Sequence, residues 1–69
     1  MGLAKRYVKE FAADKKRILK NVAIHFDEVD LPEMAQEAKE GIGKVDKVVE
    51  LCEYGYITDF EAVKQILEA

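Results

Sequence analysis

Three features of this sequence have residue types that chemistry requires. They are a lone histidine, His25, beside Asp27, Glu28 and Asp30; a lone cysteine, Cys52; and the run Gly41-Ile42-Gly43-Lys44. Imidazole among carboxylates is what a metal site or an acid–base pair is made of, but the spacing follows no ligand pattern. A structural zinc site also wants four Cys or His ligands, and this chain has one of each. Cys52 as a nucleophile would need a base, and His25 is the only imidazole. The glycine run lacks the GxxxxGK[ST] spacing of a phosphate loop, and no strand precedes it. The expectation is therefore no catalytic residue, no cofactor, no metal and no small-molecule substrate: a protein that is not an enzyme.

Charge is the next candidate. Residues 1–25 carry seven Lys/Arg against two Asp/Glu, whereas residues 26–69 carry four against twelve, so the net charge of −3 hides a +5 and a −8 region. Lys5, Lys9, Lys16 and Lys20 lie together on the back of an amphipathic segment. There they would neutralise phosphates, or attract acidic helices. Nucleic-acid binding through these four lysines is the alternative function.

The elements that position these groups follow from apolar spacing. In the first segment Leu3, Tyr7, Val8, Phe11, Ala12, Ile18, Leu19, Val22 and Phe26 share one broad helical face, giving a helix over about residues 3–25. Lys15 is the one cation inside that face, with a stem long enough to snorkel outward. Pro32 suits the first turn of a second helix, with Asp30 and Glu33 as its cap and reciprocal partner. Met34, Ala35, Ala38, Ile42, Val45, Val48, Val49 and Cys52 then form a narrow stripe whose phase passes through Gly41 and Gly43 without a slip, so one helix is expected over residues 32–54. Gly55 fits a left-handed C-terminal cap, with Tyr56 packing back on Leu51. Thr58 and Glu61 form a capping box that opens a third helix over residues 59–68, with Phe60, Val63, Ile66 and Leu67 on one face. The result is one all-α domain over residues 1–69, a long antiparallel hairpin plus a short C-terminal helix.

The turn at Gly55 invites comparison with a helix-turn-helix. However, Glu61 stands where that motif wants an apolar residue, and Asp59, Glu61 and Glu68 would repel a nucleic-acid backbone. Leu51, Gly55, Ile57, Thr58 and Glu61 give the same segment a closer likeness: it resembles the short helical modules called SHOCT. The likeness covers about a quarter of the chain, and the later lysine of that pattern is out of register. It implies an oligomerisation or docking role.

Length sharpens the functional expectation. A chain of 69 residues has a thin core, and with one cysteine it has no internal disulfide, so association is the stabilising device left. A third helix of about 15 Å cannot cover a hairpin of about 35 Å. Lying over the Gly55 end, it should bury Val48, Phe11 and Tyr7 and leave the other end open. Ile18, Val22, Phe26, Met34 and Ala38 are the expected contacts for another protein or a second copy, in a homodimer or as a small regulator or inhibitor. Lys5, Arg6, Lys9 and Glu10 interrupt any export signal, and no apolar run reaches membrane length, so a cytoplasmic location with no membrane contact is expected.

Overall fold

The computed structural model describes residues 3–69 and contains three helices: α1, Arg6–Glu28; α2, Pro32–Glu53; and α3, Asp59–Glu68. No strand occurs among the described residues. The expected all-α hairpin with a short third helix is what forms. α1 begins three residues later than its apolar spacing suggests and runs three further, through Phe26 and past Asp27.

The two connectors are built alike. At Gly55, with φ 80°, the amide of Tyr56 donates to the Leu51 carbonyl at 2.9 Å and that of Gly55 to Cys52 at 3.1 Å, a Schellman closure. A Cβ at Gly55 would also stand 2.7 Å from Leu3 Cδ1. The Tyr56 ring does not fold back on Leu51; it is largely exposed and lies 6.3 Å from the Tyr54 ring, while Ile57 packs against the core instead. Between α1 and α2 the same pair of bonds recurs, Leu31 to Phe26 at 2.8 Å and Asp30 to Asp27 at 3.2 Å. Asp30 is the left-handed residue there, at φ 61°. It therefore ends α1 rather than capping α2, whose N-cap, Leu31, makes no side-chain bond. Aspartate tolerates this region better than most residues, which is why one residue type suits either role. The Thr58 cap forms as expected: its hydroxyl accepts from the Glu61 amide at 3.1 Å. The Glu61 carboxylate accepts not from the Thr58 amide but from Gln65, whose Nε2 donates to Oε1 at 3.1 Å.

Val8 and Ala12 of α1, Val45, Val48 and Cys52 of α2, and Ala62 and Ile66 of α3 form one buried cluster. α3 runs parallel to α1: Tyr7 lies within electrostatic reach of Asp59 at its start, and Lys15 Nζ donates to the Leu67 carbonyl at its end, 3.3 Å away. Lys15 thus leaves the apolar face by its long stem, as expected, and sets its charge at the negative end of the α3 dipole. Beyond α3 the fully buried apolar residues of the hairpin are Ala23, Ala35 and Ala38, with Val22 and Phe26 half-buried beside them.

Candidate interaction surface

The face α1 turns inward is narrower than its apolar arc. Val8, Ala12, Leu19 and Ala23 meet the other helices, and small side chains among them let α2 approach closely. Tyr7 and Phe11 are consequently not covered by α3; they remain 46% and 43% exposed, against expectation, while Val48 is buried as expected. They continue into Ile18, 52% exposed, and half-buried Val22, on the same side of α1.

At the open end the predicted contacts divide. Ile18 and Met34 are exposed, Val22 and Phe26 half-buried. Ala38 is not a surface contact; at 7% exposure it is part of the floor between the helices, where a methyl group leaves room for α1 and α2 to pack. Val29 was missed by the sequence reading; it and Leu31, which was expected at this open end, are nearly half exposed beside them. Its signal was its place in the connector next to Met34; Leu31, Pro32, Glu33 and Met34 line a shallow cavity of about 310 Å³. Two exposed side chains on the outer face of α3, Phe60 and Leu67, were also missed as surface residues, having been assigned to its packing face. None of the three phenylalanines and three tyrosines is buried, whereas five of the ten buried apolar residues are alanines.

The four lysines of the alternative function are partly engaged within the chain. Lys9 pairs with Glu53 at 3.0 Å and Lys16 with Asp46 at 2.8 Å, both bridging α1 to α2. Among the described residues Lys5 and Lys20 have no ion pair. Two of the four lysines thus draw α1 and α2 together.

The chemical candidates are separated by the fold. His25 is exposed in the last turn of α1, its ring 5.9 Å from that of Phe26. Cys52 is buried in the last turn of α2, at the opposite end of the hairpin. Its thiol donates to Asp59 Oδ1 at 3.3 Å. Burial pushes the thiol up from its ordinary range, the bond to Asp59 and the charges of Asp59 and Glu53 push the same way, and the reactive thiolate is disfavoured. Tyr7 borders this corner, and its hydroxyl is likewise raised, by burial first and then by Asp59 and Cys52. Gly41 and Gly43 lie inside a continuous helix, where no phosphate cradle forms. Among the described residues no helix is long and apolar enough to cross a membrane.

No known protein family matches this chain, and no curated protein or solved structure is similar to it. The likeness of residues 51–61 to SHOCT modules therefore stays confined to that capped turn.

Proposed function

We propose that this protein is a small helical interaction module that binds another polypeptide through the open half of its α1–α2 hairpin. Ile18, Val22, Phe26 and Met34 make the contact over a floor that includes Ala38. The observation that carries this reading is the distribution of side-chain size. Beyond α3 the fully buried apolar residues are the alanines Ala23, Ala35 and Ala38, while Ile18, Val29, Leu31 and Met34 stand exposed beside them, the reverse of what burial favours in a self-sufficient monomer. Total exposure agrees: a compact protein of 7.8 kDa exposes about 4,400 Å², and this one exposes 5008 Å². Roughly 600 Å² of surface in excess is on the scale of one partner's share of a specific interface, about 800 Å².

The test is photo-crosslinking in the cells that produce the protein, with a photoreactive residue placed in turn at positions 18, 22 and 34 and, as controls, at 20 and 37. Protein adducts of any mass at the first three and none at the controls are expected. Adducts at neither set, or equally at both, would refute the reading.

A further inference from the structure

The open groove has dimensions that a second copy of this chain supplies, and we propose that the occupant is that second copy, antiparallel about a two-fold axis near Ile18. The proposal rests on the groove reading above and names its partner. α3 ends at the level where Leu19 meets Gly41: a Cβ on Gly41 would lie 3.0 Å from Leu19 Cδ1 and 3.8 Å from the Ala69 carbonyl carbon. From Leu19 to the end of α1 at Glu28 the uncovered stretch is about 14 Å long, and α3 itself is about 15 Å. The molecule carries a helix of the length its own groove lacks, with apolar Phe60 and Leu67 turned outward, 79% and 59% exposed.

Register follows from α1. Tyr7, Phe11, Ile18, Val22 and Val29 recur at intervals of four and seven, on the side where α3 packs. Ile18 is midway between Tyr7 and Val29. Two copies laid antiparallel with Ile18 against Ile18 place Tyr7 opposite Val29 of the partner subunit, and bring each α3 beside the other copy's open half. Reach selects the same direction. α3 lies along the first half of its own α1, from Tyr7 to the level of Leu19. Only an antiparallel pair sets it against the uncovered second half of the partner's α1. The contact is isologous and closes, which yields a dimer rather than a filament.

Sedimentation equilibrium of the full chain is expected to give twice the 7.8 kDa mass at micromolar concentration. Ile18→Asp should return it to the monomer with its helical circular dichroism retained, since that side chain is half exposed. Direction is read by disulfide cross-linking in a Cys52→Ala background. Tyr7→Cys mixed with Val29→Cys should form a mixed disulfide, and neither chain alone should form a disulfide dimer. A monomer at every concentration, a dimer that Ile18→Asp leaves intact, or disulfides in the separate chains and not the mixture overturns the proposal. Adducts to a different protein at position 18 in the cellular experiment, together with a monomer in the centrifuge, would sink the dimer and leave the groove reading standing.

Discussion

Two glycines two residues apart on different faces of α2, Gly41 and Gly43, should respond differently to alanine. Both sit in the interior of α2, where alanine is favoured over glycine by about 1 kcal/mol. At Gly43 a Cβ would meet nothing within 4 Å, so that gain is kept whole. At Gly41 it would meet Leu19 Cδ1 at 3.0 Å and Cδ2 at 3.4 Å. Leu19 is itself packed against the core, and overpacking of this kind costs about 1 to 3 kcal/mol. Gly41→Ala should therefore lie between neutral and about 2 kcal/mol destabilising. In a domain of this size 1 kcal/mol moves Tm by about 4 to 8 °C, so the two variants should differ by at least that much. Thermal unfolding followed by circular dichroism measures it, at one fixed protein concentration because association makes Tm concentration-dependent. Equal shifts for the two, or a loss at Gly43→Ala, would show that α2 is not continuous through this segment or presents another face to α1, and the packing argument would fail.

Asp30→Gly should stabilise by about 0.5 to 1 kcal/mol in urea unfolding, because glycine enters the left-handed region without the penalty aspartate bears at φ 61°. Lys16→Glu should cost about 0.5 kcal/mol or less, since both partners of the pair are well exposed; adding Asp46→Lys should restore it, and a double-mutant cycle reads the coupling. The Cys52 thiol has its pKa raised on folding, so its contribution is complete below the ordinary thiol range and fades as pH rises through the folded value. Urea midpoints should fall between about pH 8 and pH 10, and Cys52→Ala should lessen that fall. In hydrogen exchange, amides of residues 20–40 should open locally, with a free energy well below that for amides of residues 45–52, and their protection should rise with protein concentration.

Much of the fold was legible because each helix carries its own periodicity and punctuation. The phase of Met34, Ala38, Val45 and Cys52 predicted an unbroken α2, and Thr58 with Glu61 predicted where α3 begins. What sequence did not determine was rotation. Tyr7, Val8, Phe11 and Ala12 all lie on one broad arc of α1, and hydrophobicity ranks the aromatic residues inward. Packing chose Val8 and Ala12 instead, since close approach to α2 favours short side chains, and that choice turned Tyr7 and Phe11 outward. Ala38 went the other way for the same reason. Asp30 was misassigned because the residue that ends one helix and the residue that begins the next stand side by side, and aspartate serves in both places. The open half of the hairpin was legible as a place, from the short reach of α3, but the exposed apolar surface extends further, to Phe60 and Leu67 of α3 itself.

These features bear on why a chain this small holds a hairpin of such length. Fully burying a valine or leucine is worth about 1.5 to 3 kcal/mol, while the single methyl of an alanine is worth about 0.8. The half of the hairpin near α3 has Val8, Val45, Val48 and Ile66 at its centre, whereas the far half has Ala23, Ala35 and Ala38. Three methyl groups with the partly covered Val22 and Phe26 offset less of the ordering of some twenty residues, each costing about 1 to 2 kcal/mol in backbone entropy alone, than the branched cluster near α3 does. The far half is thus the part whose order depends most on being covered, and it is also the part flanked by Ile18, Met34 and Leu31. On the proposed reading, filling the groove and ordering the far half would be one event. A far half packed with leucine would be stable alone and would offer nothing to a partner, while alanine in the seam with large side chains on its flanks makes the helices close enough to form and the groove apolar enough to be filled.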